Sequence, residues 1–213
     1  MIVGSIVLAG GQSTRMGFPK AWLPFGPLPV LGLVVQELLR YTNPLVVVRG
    51  SADQVLPPLQ PEVDVIDDDR PGRGPLEGIR AGLRALRPHC DAAFVSGCDS
   101  PFVSGSYIDF LASQMAGHDI VVPFVGGAQQ TLAALYSIAV LPKVEELLQQ
   151  DQLKPATLFE RVRTRKLTEA DVRSVDPDLR VLTAMNTPEE YQAALKRAGL
   201  PAVPVPKTVP GGG

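Results

Sequence analysis

Short runs of apolar residues alternate along the chain with segments in which apolar residues recur every three or four positions. The first run, residues 2–9, is apolar apart from Gly4 and Ser5 and stops at Gly10-Gly11, which is typical of a strand that is buried on both faces and ends in a turn. The other runs predict strands over residues 45–48, 63–66, 92–96, 120–124 and 132–140. Helical spacing predicts helices over residues 30–40, 75–86, 106–116, 142–150 and 188–195.

Strands that alternate with helices build βαβ units, in which helices cover a parallel sheet. We therefore predict a three-layer α/β/α fold of the Rossmann-like type, with a mostly parallel but mixed sheet, in a single domain over residues 1–200. Residues 201–213 hold four prolines and three terminal glycines and have little to bury, so we predict a disordered tail there.

Composition and charge narrow the class of protein. Of the 213 residues, 45% are hydrophobic and 20% are charged, which is typical of a folded globular protein. The formal net charge of −2 argues against a nucleic-acid partner, and no apolar run approaches the roughly 20 residues that cross a bilayer. Cys90 and Cys98 make no disulfide framework and form no zinc-ligand spacing with the two histidines. We therefore predict a cytoplasmic enzyme or binding protein in which carboxylates hold any metal.

The loop after the first predicted strand is a candidate binding element. It is rich in glycine over residues 8–17 and carries Arg15 and Lys20. Glycines let backbone N–H groups approach an anion, and the two cations can neutralise phosphate oxygens, so the loop predicts phosphate binding. It matches neither the Walker A pattern nor the glycine spacing of dinucleotide binders. The alternative is a tight turn without a ligand, beside which Arg15 and Lys20 are ordinary surface charges.

Asp99 is a candidate metal ligand. It follows the strand predicted at residues 92–96, where a hard oxygen donor can reach bound phosphates. Mg²⁺ commonly takes only one or two protein carboxylates, so a single aspartate is compatible with a magnesium site. The alternative is that Asp99 caps the turn before Ser100-Pro101.

Other conspicuous side chains receive structural interpretations. Cys98 has no histidine near it in the sequence, so we assign it no catalytic role. Trp22 and Phe25 either stack on a base or, as is commoner, anchor the loop to the body of the domain. The basic run at residues 161–166 either attracts an anionic substrate or, as we favour, forms a solvated face.

Four short motifs occur in a fixed order along the chain. They are Leu8-Ala9-Gly10-Gly11 with Ser13, Arg15-Met16-Gly17 and Lys20; Gly74-Pro75-Leu76-Glu77-Gly78-Ile79; Cys98-Asp99-Ser100-Pro101-Phe102; and Asn186-Thr187-Pro188-Glu189-Glu190. Together they resemble the signature of the molybdenum cofactor guanylyltransferases, a branch of the nucleotidyltransferases. The resemblance spans nearly the whole predicted domain.

The resemblance implies transfer of GMP from GTP to the terminal phosphate of molybdopterin or Mo-molybdopterin, with release of pyrophosphate and a requirement for Mg²⁺. It implies nucleotide binding by Leu8, Ala9, Gly10, Gly11, Lys20, Asp67 and Asp99, catalysis by Arg15, Lys20 and Asp99, and Mg²⁺ ligation by Asp99. It also implies that Asn186 contacts the molybdopterin substrate and that partner proteins deliver or receive the cofactor. For Asp67 the implied role is to accept a hydrogen bond from the nucleoside, and the alternative is a solvated acidic turn with Asp68 and Asp69.

Two positions depart from the family's pattern. Arg49 stands where the family often has an asparagine close to the base, and Ala184 stands where a second asparagine often precedes Asn186. These departures leave the choice of base and acceptor open. The alternatives are a nucleotidyltransferase of the same fold that uses CTP or a sugar phosphate, and a catalytically idle nucleotide-binding adaptor.

Overall fold

A central sheet with helices on both faces forms the body of the protein, for which a computed structural model describes residues 1–11 and 13–209. The strands in these residues are β1 (Val3–Leu8), β2 (Pro24–Phe25), β3 (Leu28–Pro29), β4 (Leu45–Arg49), β5 (Asp64–Asp67), β6 (Ala92–Gly97), β7 (Ile120–Val125), β8 (Ala128–Gln129), β9 (Ala133–Ser137) and β10 (Thr164–Leu167). The helices are α1 (Val30–Leu38), α2 (Pro75–Leu86), α3 (Gly105–Ser113), α4 (Leu141–Gln149), α5 (Pro155–Phe159), α6 (Glu169–Arg173) and α7 (Pro188–Arg197). Short 3₁₀ turns lie at Lys20–Trp22, Ile138–Val140 and Arg180–Leu182.

The sheet is mixed and mostly parallel, as predicted. Its strand order is β10-β7-β9-β6-β1-β4-β5, with β8 paired to β7 and β2 paired to β3 in a separate small hairpin. Strand β1 pairs in parallel with β4 and β6, whereas β9 runs antiparallel between β6 and β7. The carboxyl ends of β4, β1 and β6 therefore lie side by side at one edge of the sheet, where open α/β sheets bind ligands.

Two apolar layers hold the helices to the sheet. Alternate residues of a strand face opposite sides, so Val7 and Val47 pack with helices α1, α3 and α7, while Ile6 and Val46 pack with α2, α4 and α5. Helix α2 lies very close to β1, because a Cβ atom added at Gly82 would come within 2.6 Å of the Ile6 side chain. The predicted three-layer α/β/α fold is confirmed by this arrangement.

Several short elements were not predicted from the sequence. Helices α5 and α6 have five residues each, which is too short for a clear helical period. Strand β10 forms the edge of the sheet and carries exposed Arg165 and Lys166, so its charged positions resemble a loop. Strand β9 ends at Ser137, whose side chain accepts a hydrogen bond from the Ala139 N–H at the start of a 3₁₀ turn, so the strand is shorter than the predicted run over 132–140.

The tail differs from the predicted disorder over residues 201–209. Val203, Val205 and Val209 pack against the apolar layer, and Gln192 Nε2 donates to the Val203 carbonyl over 2.7 Å. Proline restricts the unfolded chain, so fixing this alternating Val-Pro segment costs less entropy than fixing a flexible one. Residues 210–213, for which disorder was also predicted, lie outside the described residues.

The lengths of the helices bear on the prediction that no segment crosses a membrane. Helix α2 has 12 residues, whereas a span needs about 20 apolar residues. Within residues 1–11 and 13–209, we find no helix with both the length and the apolar character of a membrane span.

Candidate active site

A cavity of about 490 Å³ opens where the carboxyl ends of β1, β4 and β6 lie side by side. The strand ends and the loops that follow them supply its walls. The lining residues include Leu8, Ala9, Gly10, Gly11, Ser13, Pro19, Lys20, Val48, Arg49, Gln54, Asp68, Gly72, Gly74, Pro75, Gly78, Gly97, Cys98 and Asp99. The predicted nucleotide-binding residues 8–11, Lys20 and Asp99 therefore share one cavity.

The loop after β1 is packed tightly against the loop after β4. A Cβ atom added at Gly10 would lie 2.9 Å from the Cα of Gly50, so only glycine fits this approach without a shift. The Gln54 side chain bridges the two loops. Its Nε2 donates to the Ala9 carbonyl over 2.7 Å, and its Oε1 accepts from the Gly50 N–H over 2.6 Å. Gly50 and Gln54 were not predicted from the sequence, because no local pattern indicates that the two loops meet.

Lys20 connects the loop to two distant parts of the chain. Its backbone N–H donates to Ser13 Oγ over 3.2 Å, and its ammonium group donates to Asp99 Oδ2 over 2.6 Å and to Asn186 Oδ1 over 2.8 Å. Only 17% of the Lys20 side chain and 12% of the Asp99 side chain are exposed, so salt screens this pair weakly. The structure therefore brings Lys20, Asp99 and Asn186 together.

Local helix chemistry positions Asn186. Helix α7 begins with a capping box, in which the Thr187 side chain accepts from the Glu190 N–H and the Glu190 side chain accepts from the Thr187 N–H. Glu190 Oε2 also accepts from the Asn186 N–H over 2.6 Å. The neighbouring Met185 N–H donates to the backbone carbonyl of Asp99 over 3.2 Å, which holds this segment beside the end of β6.

The surroundings of Asp99 fit a Mg²⁺ ion that binds together with a phosphate substrate. In the part of the chain that the structure describes, no group of three or more histidine, cysteine or acidic side chains could hold a metal by itself. Asp99 Oδ2 accepts from Lys20, whereas its Oδ1 accepts no hydrogen bond from a described residue and Asp99 lines the cavity. One available carboxylate oxygen suits Mg²⁺, which typically takes one or two carboxylates and completes its shell with phosphate oxygens and water.

The acidic residues at the end of β5 lie in different environments. Asp67 accepts a hydrogen bond from Arg49 Nε over 2.6 Å and lies outside the set of cavity-lining residues, whereas Asp68 lines the cavity. Burial raises the pKa of the Asp68 carboxyl above its usual range, and the Arg70 backbone N–H, which donates to it over 2.9 Å, opposes that rise. Direct contact between Asp67 and a nucleoside stays a prediction.

Of the other side chains singled out in the sequence, Cys98 lines the cavity, whereas Arg15, Trp22 and Phe25 do not. Arg15 is exposed and is absent from the described cavity lining, so its catalytic role stays a prediction. Burial raises the pKa of the Cys98 thiol to about 12, so the thiol is neutral at physiological pH. Phe25 packs edge-on against Phe102 with 6.0 Å between ring centroids, and Trp22 Nε1 donates to the Val55 carbonyl over 3.0 Å. Trp22 and Phe25 therefore anchor the loop that follows β1 to the rest of the domain.

A buried carboxylate holds the loop at residues 68–74 onto helix α2. Glu77 is 1% exposed, and it accepts hydrogen bonds from Arg73 Nη1 and from Arg80 Nε, each over 3.0 Å. Arg73 also pairs with Asp151, and Arg80 Nη2 donates to Asp69 Oδ2 over 2.8 Å. Since Asp68, Gly72 and Gly74 of this loop line the cavity, the ion pairs of Glu77 shape one of its walls.

We expect Glu77→Gln to lower the free energy of unfolding by about 2 to 3 kcal/mol, because a neutral amide replaces the buried carboxylate that the partly exposed Arg73 and Arg80 share. Urea unfolding of the variant and the unchanged protein measures this difference. Glu146→Gln is the matched control, since Glu146 forms an exposed pair with Lys143, and it is expected to cause no measurable loss. Equal stabilities of the Glu77 and Glu146 variants would contradict the structural role of Glu77.

Comparison with known proteins tests the family that the motifs indicate. The sequence profile of the MobA-like NTP transferase domain matches residues 5–166. This chain belongs to that family. The match includes Lys20 and Asp99, whereas Asn186 lies beyond it. The predicted relationship to the nucleotidyltransferases is confirmed.

Individual relatives are similar over nearly the whole chain. A protein from Methanosarcina mazei with the name "Probable molybdenum cofactor guanylyltransferase" is 31% identical over 204 residues, which cover 91% of this chain and 90% of that protein. A protein of the same name from Bacillus mycoides is 32% identical over 201 residues, which cover 90% and 94% of the two chains.

Solved structures share the fold. The crystal structure of molybdopterin-guanine dinucleotide biosynthesis protein A from Archaeoglobus fulgidus has a TM-score of 0.76 and 24% identity, and the match covers 93% of this chain and 99% of that one. A cytidylyltransferase from Leptospira borgpetersenii has a TM-score of 0.65 and 16% identity, with 95% and 89% coverage. This chain therefore shares its fold with both solved structures.

Proposed function

We propose that this protein transfers GMP from GTP to the terminal phosphate of molybdopterin, with release of pyrophosphate. The observation that carries the proposal is the contact of Lys20 with both Asp99 and Asn186. This contact lies beside the glycine-rich loop over residues 8–17, which we call the glycine loop. This contact brings together a cation that could bind phosphate, a carboxylate that could hold a metal and an amide from the fourth motif. The names of the relatives at 31% and 32% identity support GTP and molybdopterin as the two substrates.

The proposed reaction is an in-line displacement at phosphorus. An oxygen of the molybdopterin phosphate forms a bond to the α-phosphorus of GTP, and the bond from the α-phosphorus to the oxygen that bridges it to the β-phosphorus breaks. Pyrophosphate leaves with that electron pair. The attacking phosphate needs no strong base, because a phosphomonoester with a second pKa of about 6 is already largely ionised at neutral pH.

The chain contributes position and charge to this reaction. The backbone N–H groups of the glycine loop and the Lys20 ammonium would bind the triphosphate oxygens and offset the repulsion between the two anionic substrates. The Asn186 amide, fixed by helix α7, would orient the acceptor beside Lys20. Asp99 would hold Mg²⁺, which when bound supplies positive charge to the phosphate oxygens.

The direct test is a reaction with purified protein, GTP, Mg²⁺ and molybdopterin, in which pyrophosphate and the guanine dinucleotide product are both measured. The proposal expects the two products in equal amounts and only when all three additions are present. Product with CTP or a sugar phosphate in place of these substrates would favour another nucleotidyltransferase. Nucleotide binding without product would favour an idle adaptor. An interaction with proteins that deliver or receive the molybdenum cofactor stays a prediction.

A further inference from the structure

Arg49 lies on the side of the cavity away from Asp99. The ends of β4 and β6 flank the end of β1, and adjacent strands are about 4.8 Å apart, so the cavity extends roughly 10 Å across these strand ends. Asp99 and Lys20 occupy the β6 side, and Arg49 occupies the β4 side. A triphosphate bound at Lys20 therefore leaves the β4 side for the nucleoside.

The guanidinium of Arg49 is oriented by one acceptor and keeps its terminal nitrogens available. Arg49 and Asp67 are paired positions of the parallel strands β4 and β5, and Arg49 Nε donates to Asp67 Oδ1 over 2.6 Å. Nη1 and Nη2 of Arg49 donate to no residue that the structure describes, and 28% of the side chain is exposed. The two terminal nitrogens form a planar pair of donors at the cavity wall.

Other polar groups at this end complement that pair. Both amide atoms of Gln54 are engaged with the backbone of Ala9 and Gly50, so Gln54 has little capacity to contact a base. Asp68 accepts from the Arg70 N–H through Oδ1, and its Oδ2 accepts no hydrogen bond from the described chain. The β4 side thus presents a double donor at Arg49 and an acceptor at Asp68.

We propose that Arg49 determines base specificity by donating two hydrogen bonds to O6 and N7 of guanine, with Asp67 as the residue that positions its guanidinium. The inference rests on the proposed function, because it assigns the base of the nucleotide bound in that site. Guanine places two acceptors at O6 and N7 and carries a donor at N2, whereas adenine places an N6 donor beside N7 and cytosine presents an N4 donor. Of these three bases, only guanine matches both the Arg49 donors and the Asp68 acceptor.

The test measures binding of GTP, ITP, ATP and CTP, each with Mg²⁺, to the unchanged protein and to Arg49→Ala, Arg49→Lys and Asp67→Asn. ITP is informative because hypoxanthine keeps O6 and N7 and lacks the N2 amine. We expect Arg49→Ala to weaken GTP and ITP binding by about 10- to 100-fold and to change ATP binding by less than about threefold. Arg49→Lys keeps the charge without the planar pair of donors, so it is expected to lose the same selectivity.

The positioning role of Asp67 has its own expected result. Asp67→Asn keeps an acceptor for Arg49 Nε without the charge, so a smaller loss, confined to GTP and ITP, is expected. Arg163→Ala is the matched control, since Arg163 Nη2 donates to Asp119 Oδ1 over 2.8 Å near the opposite edge of the sheet, and it is expected to change no affinity. Thermal unfolding of each variant checks that the fold is kept. If Arg49→Ala does not fold, Arg49→Lys provides the test of nucleotide selectivity.

The outcomes separate this inference from the proposed function. Equal losses of GTP and ATP affinity in Arg49→Ala would mean that Arg49 acts on the phosphates or the fold, which would overturn the inference alone. An unchanged protein that binds ATP or CTP as tightly as GTP would also overturn it. Failure of the unchanged protein to bind any of the four nucleotides would contradict the proposed function itself.

Discussion

Replacing Lys20 by alanine is expected to weaken GTP binding by about 10- to 100-fold and to leave guanosine binding within about threefold of its original value. The reason is that the ammonium group lies beside the glycine loop, where it would donate to triphosphate oxygens that guanosine lacks. Calorimetric titration of the variant with each ligand in the presence of Mg²⁺ measures the two affinities.

Lys166→Ala is the matched control for this prediction, because Lys166 is exposed on the edge strand β10. It is expected to leave both affinities unchanged. Since alanine at position 20 also removes the partner of Asp99, thermal unfolding of the variant must accompany the titrations. Equal losses for GTP and guanosine would mean that Lys20 acts on the nucleoside or on the fold, and would contradict its role at the phosphates.

Asp99→Asn is expected to lower turnover by about 1,000-fold or more, because the metal that Asp99 is proposed to hold contributes several kcal/mol at the reacting phosphates. The substitution preserves the size of the side chain and an acceptor for Lys20. It also distinguishes the metal role from the turn-capping alternative, since asparagine caps turns about as well as aspartate. Pyrophosphate release at saturating GTP and molybdopterin measures the effect.

The same variant has a second readout that does not depend on turnover. GTP affinity of the unchanged protein is expected to rise with Mg²⁺ concentration, and this dependence is expected to weaken in Asp99→Asn. Asp109→Asn, an exposed aspartate on helix α3, is the control and should behave as the unchanged protein. Turnover of Asp99→Asn within a few-fold of the unchanged value would refute the role of Asp99 as a metal ligand.

The central sheet was predictable because its inner strands are buried on both faces. Strands β1, β4 and β6 therefore consist of nearly continuous apolar residues, and each observed bound differs from the predicted one by at most one residue. The hairpin of β2 and β3 was not predictable, because each strand has two residues and the turn depends on Gly26, whose φ is 69°. Short elements are stabilised by tertiary contacts that leave no periodic pattern.

The candidate site was predictable only as separate pieces. The glycine-rich loop with Lys20 follows the end of β1, and Asp99 follows the end of β6, where the general rule for α/β sheets places ligands. The contact between Lys20 and Asn186 joins residues 166 positions apart, and its placement depends on the capping box of α7 and on the packing of Met185 beside Asp99. The burial of Glu77 beside two arginines was likewise not predicted, because the spacing of charged residues in a sequence does not indicate how far each side chain is buried.

A crystal structure of the protein with Mg²⁺ and a non-hydrolysable GTP analogue would show whether the cavity at the ends of β1, β4 and β6 binds the triphosphate. We expect the triphosphate to lie against the backbone of residues 9–11, with an oxygen within hydrogen-bonding distance of Lys20 Nζ and the metal on Asp99. An analogue that binds outside the cavity, or one that leaves no density there at millimolar concentration, would contradict it.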